Sequence, residues 1–541
     1  MSLLTTLARL RAVRGGRAEP LTTVRHRHLS ERPMVVVPLA AAGESGAPLA
    51  VLLGTDRRAP RLHLVPQPLN RTQRFDFLAA FAADLLPYVQ SFGDEVEHLE
   101  GSERDPETGE KVPVVRELCA DAPQLIVPNP GAVEHLAVLG RSTRFRRTAE
   151  DPDPGPYPAP PQVPLLGRWL THLTERAQVP GSCMLLPMTS LLARHWATGQ
   201  SHLEDQHLAA QLAWHFPAPG LSGARSAELA ETERDAEGRL VHPPAGPATD
   251  PRFDEKVLAP AISRHDAAVA ALRSAGPGPS DRAGQQAAEL LVKDARERLA
   301  SALESALLPT WEDVWRGLDL LRSLPAAGHL AERWEGDRWS YTGHRDRVAA
   351  GEPPQPRRDD AVTAARKLAQ REREQVRLDI QEALDDPLVM AEHRLAGEAF
   401  SGEVVEVALE YDTSGRSPKP RPLVTVRTPD RPHADPGREV HRAWGAPRAE
   451  GQGGGAAQRA VVVAADPAEG TVTVRVVSGM GRRREPEPGS LPEPGETVTF
   501  TLFELTPRQS APLPEPDDTP WTHGGPPGAD QASSGGPDEW E

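Results

Sequence analysis

The sequence predicts a multi-domain α+β protein: an N-terminal α/β sheet domain, a helical middle, a small C-terminal β-barrel and a disordered tail. Three observations lead there. At 541 residues the chain exceeds what one hydrophobic core usually serves, and it divides into roughly three or four units. Its apolar period starts near two, shifts to helical spacing, and returns to two after Phe400. Finally, 57 prolines and 45 glycines against 10 Phe, 4 Tyr and 10 Trp leave little aromatic material for large cores, so some segments are expected to lack structure.

Residues 1–150 are read as the α/β domain. The opening "MSLLTTLARLRAVRGGR" has helical apolar spacing (Leu3, Leu4, Leu7, Leu10, Val13) with Arg9, Arg11, Arg14 and Arg17 among it. A signal peptide would place its charge before the apolar run, and here the order is reversed. Short β-type runs follow in "TTVRHRHL", "MVVVPLA", "PLAVLLG" and "RLHLVPQ". In "RTQRFDFLAAFAADLLPYVQSF", Phe77, Leu78, Phe81, Leu85 and Val89 recur at three- and four-residue spacing, which predicts a helix. "GDEVEHLEGSERDPETGEK" reads as a loop, "PQLIVPNP" as a buried strand and "GAVEHLAVLG" as the helix after it.

Three strands, a helix with a Phe face, then a strand ending "VPNP" before another helix resembles the core of the ribonuclease H-like 3′–5′ exonucleases over residues 30–148. The resemblance implies an Asp-x-Glu pair on the first strand and an Asp following the Asn that ends the later one. Asn129 stands, but Ala132 falls where that Asp is expected, and "MVVVPLAAAG" has no carboxylate before Glu44. Two-metal chemistry needs clustered carboxylates to hold cations about 3.5–4 Å apart. The expectation is a catalytically degenerate domain.

"DPDPGPYPAPPQVP", residues 151–164, is too rich in proline for a helix or inner strand and reads as a linker. Residues 165–397 form the helical region, with internal loops near 217–250 and 351–358. "LLGRWLTHLTERA" and "CMLLPMTSLLARHWA" are amphipathic, with Trp196 and later Trp214 as core candidates. "QQAAELLVKDARERLASALESALLPTWEDVWRGLDLLRSL" is helical but interrupted at Pro309. "DDAVTAARKLAQREREQVRLDIQEALDDP" carries only a narrow apolar stripe (Val362, Leu368, Val376, Ile380, Leu384), the pattern of a helix that bridges domains or packs along one side.

Within this region, "RHWATGQSHLEDQHLAAQLAWHF" gathers His195, His202, His207 and His215 around Glu204 and Asp205. On one helix His202 and His207 diverge by about 140°, because each residue turns about 100°. His215 lies roughly 15 Å along the axis from the carboxylates at 1.5 Å per residue. Ser201 with Glu204 three residues on makes a capping box, so a helix start is favoured over a metal site. Asp250, with Asp254, Glu255 and Lys256, has the look of a nuclease signature, but its Pro-flanked, helix-like setting again favours a helix start.

After Phe400, "GEVVEVALEY", "RPLVTVRT", "RAVVVAAD", "TVTVRVVSG" and "ETVTFTLFEL" predict a five-stranded barrel of SH3-like or oligonucleotide-binding type over 398–507. "GEVVEV" with the Pro-Gly-Glu turn before "TVTFTLFEL" resembles the barrel of superfamily 1 helicases. Residues 508–541 read as a disordered acidic tail.

A net charge of −16 argues against a protein whose whole surface grips phosphates, and leaves local basic patches. The candidate nucleic-acid-binding residues are Arg141, Arg144, Phe145, Arg146 and Arg147, and on a barrel loop Arg482, Arg483 and Arg484. Only two cysteines, Cys119 and Cys183, exclude a disulfide framework and fit a cytoplasmic home. No stretch is long enough to cross a bilayer, so no membrane partner is expected. P-loop, nucleophile-elbow, HExxH, paired CxxC and GxGxxG motifs are absent, and no cofactor is expected. The sequence therefore leans towards a non-enzymatic accessory or scaffold protein of nucleic-acid metabolism or defence, partnering a separately encoded helicase or other ATPase and touching single-stranded nucleic acid weakly. Two alternatives remain open. One is a metal-dependent nuclease or hydrolase built from His195, Glu204, Asp205 and His207 or from Asp250, Asp254 and Lys256; the other is a protein–protein adaptor without nucleic-acid contact.

Overall fold

A computed structural model describes residues 3–41, 47–105, 109–244, 246–275, 282–414, 418–444, 456–481 and 484–506. After helix α1 (Leu3–Gly15) come β1 (Met34–Ala40), β2 (Pro48–Gly54), β3 (Arg61–Leu64) and α2 (Arg71–Gln90). A hairpin, β4 (Val96–Arg104) and β5 (Lys111–Cys119), precedes β6 (Leu125–Val127) and α3 (Pro130–Thr143). Then follow α4 (Gln162–Arg176), β7 (Leu185–Pro187), α5 (Met188–His195), α6 (Leu208–His215) and α7 (Gly223–Thr232).

The main sheet has the order β3-β2-β1-β6-β7. The first three strands form an antiparallel meander, and β6 and β7 add in parallel on the other side of β1. All seven residues of β1 are buried, as expected of a central strand covered on both faces. Helix starts follow their caps: Asn70 accepts from the Gln73 amide and Asn129 from the Ala132 amide. Helices α3 and α4 pack unusually close because a Cβ at Gly140 would lie 2.8 Å from the Thr171 nitrogen, and one at Gly167 2.4 Å from that of Arg144.

Four expectations change here. "TTVRHRHL" is an irregular segment rather than a strand, since its side chains are spent on distant partners. The charged stretch expected as a loop is instead the β4–β5 hairpin; it is largely exposed, so its alternation carries no apolar signal. The boundaries at 150 and 165 are not core boundaries, because β7 completes the sheet and one core runs from Leu29 to Tyr341. The 217–250 segment expected as a loop contains α7.

Beyond α7, a helical turn at Pro251–Phe253 passes through a π-turn into α8 (Ala259–Ser274). Helix α9 (Arg282–Arg322) continues through Pro309 without interruption, and Leu299, Leu303, Leu307, Trp311 and Leu318 are buried in the same core. That packing outweighs the one amide a proline removes. Helices α10 (Leu330–Ala349), α11 (Ala361–Asp385) and α12 (Pro387–Leu395) lead to the barrel.

The barrel is closed and has six strands where five are expected. They are β8 (Ala399–Ala408), β9 (Leu423–Arg427), β10 (Glu439–Trp444), β11 (Ala456–Asp466), β12 (Thr471–Val476) and β13 (Thr497–Thr501), in the order β8-β9-β12-β11-β10-β13 with antiparallel neighbours. The extra strand, "EVHRAW", buries His441 and Arg442 as well as Val440, so its hydrophobic alternation is broken. Alternate valines, Val472, Val474 and Val476 among them, fill an interior separate from that of the body. The tail expected to be disordered lies outside the described residues from 507 onward. Among the described residues, no helix is long and apolar enough to cross a membrane.

Candidate functional site

Strand β1 is where the ribonuclease H-like resemblance requires carboxylates. Val37 and Leu39 stand there, and both line a pocket of about 230 Å³ together with Leu240, Pro243, Phe253 and Leu307. The pocket lies between the front of β1, the 235–250 segment and α9. Its charged groups are committed to local structure. Asp250 accepts from the Phe253 amide at 3.2 Å, and Arg239 bonds the Asp235 carboxylate at 2.7 Å. Asn129 caps α3 and also donates to the Gly246 carbonyl at 2.8 Å, tying the covering segment to the end of β6. Among the described residues the recess presents only the Asp235 and Asp250 carboxylates, each already bonded within its own segment, and no group of three that could hold a metal ion.

The histidine segment is dispersed by the fold. His195 is fully buried, with Nδ1 2.7 Å from the Leu191 carbonyl and Nε2 accepting from the His26 amide at 3.3 Å; burial pushes its pKa down to about 4. His202 is exposed and lies 3.4 Å from Arg9 Nη2. His207 caps α6 by accepting from the Ala210 amide, and His215 packs edge-on against Trp196 at 5.1 Å. Asp205 accepts from Thr198 Oγ1 at 2.7 Å. The capping box forms, with the Ser201 amide on Glu204 Oε2 at 2.7 Å and the Glu204 amide on Ser201 Oγ at 3.3 Å, but it caps a single 3-10 turn (Glu204–Gln206) before α6. In the second constellation, Asp250 is an N-cap, Asp254 accepts from Thr249 Oγ1 at 2.6 Å and Lys256 pairs with Glu255 on the surface. Among the described residues, no three His, Cys, Asp or Glu side chains are grouped to hold a metal ion.

The first basic patch is largely absorbed into structure. Arg144 is 4% exposed, and it donates to the carbonyls of Gln355 at 2.9 Å and Pro356 at 3.1 Å. Phe145 has the Arg144 and Arg357 guanidiniums 4.9 and 5.3 Å from its ring centre, so neighbours already occupy the surface that was to stack on a base. Arg146 donates to the Ser142 carbonyl and Arg147 pairs with Asp153. Arg141 is exposed. In the second patch Arg484 is exposed, and Arg482 and Arg483 lie outside the described residues.

A buried polar junction was not legible in the sequence. Asp386 caps α12 through the Leu388 amide, accepts from the Thr23 amide and hydroxyl at 2.8 and 3.0 Å, and lies 3.3 Å from His26 Nε2. Burial opposes its ionisation, but the His26, Leu388 and Thr23 bonds hold its pKa below the usual carboxylate value. Glu382 is likewise opposed by burial and kept ionised by Arg194 and Arg27. Asp385 accepts from His329 and Arg333. Deeper in, fully buried Asp337 accepts from Arg176 at 2.6 Å, from Ser182 Oγ at 2.8 Å and from the Cys183 amide. The one available signal was "LDDP", an acid before proline that marks a helix start. The bonds of Asp386 and Glu382 join the N-terminal segment to the end of α11, which is the arrangement of a structural clamp.

No family model matches the chain, and no curated protein or solved structure matches it.

Proposed function

We propose that the protein is a non-catalytic scaffold of nucleic-acid metabolism or defence, acting in the cytoplasm beside a separately encoded helicase or other ATPase. The observation that carries this reading is the front of β1, where Val37 and Leu39 line an apolar recess at the position that carboxylates would need for two-metal chemistry. The element order of the sheet, three antiparallel strands followed by parallel strands beside the first, supports the nuclease-like likeness from which this degeneracy is judged. Two free, buried cysteines fit the location.

Nucleic-acid contact, on this reading, is weak and falls to arginines that are exposed, Arg141 and Arg357 on the body and Arg484 on the barrel, with Arg482 and Arg483 retained as candidates from the sequence. The test is titration of labelled single-stranded DNA and RNA at several salt concentrations, with Mg²⁺- and Mn²⁺-dependent cleavage assayed in parallel. Binding should fall with a slope of about −0.7 per phosphate engaged, and neutralising Arg482, Arg483 and Arg484 should lower the slope by roughly 2. Metal-dependent cleavage would overturn the scaffold reading. Absence of binding at low salt would favour the adaptor without nucleic-acid contact.

A further inference from the structure

Helix α11 is buried at its two ends and bare along its middle. Val362 is 4% exposed and Ile380 6%, whereas Leu368 is 58% and Val376 48% exposed. The narrow apolar stripe noted in the sequence is therefore only partly used. Its lower half faces a cleft of about 920 Å³ between α11 and the barrel, at the upper end of the range found for ligand-binding clefts.

On the helix side the cleft is lined by Ala369, Val376 and Ile380. Their spacing of i, i+7 and i+11 puts them within about 40° around the helix axis, one seam of the kind a second helix packs against. Leu502 and Phe503 supply apolar surface from the far wall. Around this floor stand five carboxylates, Glu372, Asp379, Glu398, Asp435 and Glu504, against two guanidiniums, Arg373 and Arg438. His393 bonds Glu398 at 2.9 Å and packs on Phe503, 4.9 Å between ring centres. Asp379 accepts from Gln375 at 2.7 Å; burial and the nearby Glu382 raise its pKa, and the Gln375 bond, Arg194 and His393 oppose that rise. The wall is acidic, its seam apolar and its length several helical turns.

We infer that the cleft between α11 and the barrel docks a basic amphipathic helix of a partner protein, laying leucine-like anchors along Val376 and Phe503 and its Lys or Arg flanks against the carboxylates. Helix-in-groove recognition of this type reads anchors at i, i+3, i+4 and i+7. Charge complementarity selects the occupant: an acidic helix would meet five carboxylates, and nucleic acid would be repelled by them. The inference adds a partner surface to the scaffold reading and does not depend on whether the sheet or the barrel touches nucleic acid.

The test uses the full chain and two fluorescent peptides of about 18 residues with leucines at i, i+3, i+4 and i+7, one carrying lysine elsewhere and the other glutamate. Anisotropy should show saturable binding of the lysine peptide and none of the glutamate peptide. Val376→Ser with Phe503→Ser, both outside the tightly packed cores, should weaken binding about tenfold or more. Val115→Ser, on the exposed β4–β5 hairpin, removes an exposed valine elsewhere and should leave binding unchanged. Circular dichroism on each variant checks folding, and Glu372→Gln with Asp379→Asn repeats the test without touching an apolar side chain. Equal binding by wild type and both cleft variants, or equal binding of the two peptides, overturns the proposal. Tighter peptide binding after removal of residues 507–541 also overturns it, because the cleft would then belong to the chain's own C-terminal segment. Nuclease or nucleic-acid results bear on the scaffold reading alone, so the two can fail separately.

Discussion

The barrel gathers Phe400, Val424, Val474 and Phe500 from strands that follow one another within about a hundred residues, and its interior is mostly valine, with few buried polar groups such as His441, Arg442 and Gln458. The body draws Leu29, Phe81, Leu125, Trp169, Trp311 and Tyr341 into one core from segments hundreds of residues apart, and threads that core with buried carboxylates, histidines and arginines. The difference is one of what holds each unit to a single structure. Period-two alternation and closure leave a barrel with few options. A sheet completed by a distant three-residue strand needs further specification, and the Asp337 and Asp386 bonds tie the late helices to particular early residues.

Acid should separate the two most strongly. Burial lowers the pKa of His28, His195 and His215 to about 4, against about 6.5 in the unfolded chain. Between those values the unfolded state takes up protons that the folded body refuses, so the stability is whole above pH 6.5 and falls as pH drops towards 4. Each of these histidines should cost about 1.4 kcal/mol per pH unit below 6.5. Urea unfolding from pH 7 to 5, followed by hydrogen exchange resolved to peptides of the body and peptides of the barrel, should show the body transition moving first. Parallel movement of both would break the contrast.

Asp337→Ala should remove about 3–5 kcal/mol from the body, because Arg176 and the Cys183 amide lose their buried partner. Urea midpoints would register this as a shift confined to the body transition. The reciprocal variant is Phe500→Ala, which opens a cavity beside Phe400, 5.5 Å away between ring centres, and should cost the barrel about 3–5 kcal/mol while the body transition stays in place. Loss of both transitions together in either variant would mean that the two units fold as one.

Arg144→Ala sharpens the contrast between structural and outward arginines. Its bonds to the Gln355 and Pro356 carbonyls predict a loss of about 1.5–3 kcal/mol in body stability, with little change in the salt slope of nucleic-acid binding. A lower slope with unchanged stability would return Arg144 to the binding surface. The smallest effect is expected at Ser201→Ala, about 0.5–1 kcal/mol by thermal melting, since the exposed box caps only one turn.

Much of the secondary structure was legible. Helix α2 shows its Phe77, Phe81 and Leu85 face directly, and the caps at Asn70, Asn129 and Asp250 follow the expected residue types. The elements missed share one trait: their burial does not follow their own period. Strand β10 hides His441 and Arg442 among barrel neighbours; the β4–β5 hairpin is exposed on both faces; β7 is too short to show a period at all. As for the site, the absence of carboxylates on "MVVVPLA" was visible from the sequence, while the burial of Arg144 and the opening of the cleft beside Val376 were not.

By itself the sequence determined the α+β class, the closed barrel at its end, the helix start at Asp250 and the apolar character of β1, because each depends on residues within a turn or a strand of one another. Tertiary structure alone decided that β7 joins the first sheet, that residues 21–32 run irregularly between α5 and the end of α11, and which arginines face water. Those outcomes turn on pairings between residues far apart in the chain, such as Thr23 with Asp386 across 363 positions. Such a bond leaves no period in the local sequence, since either partner alone reads as an ordinary polar residue.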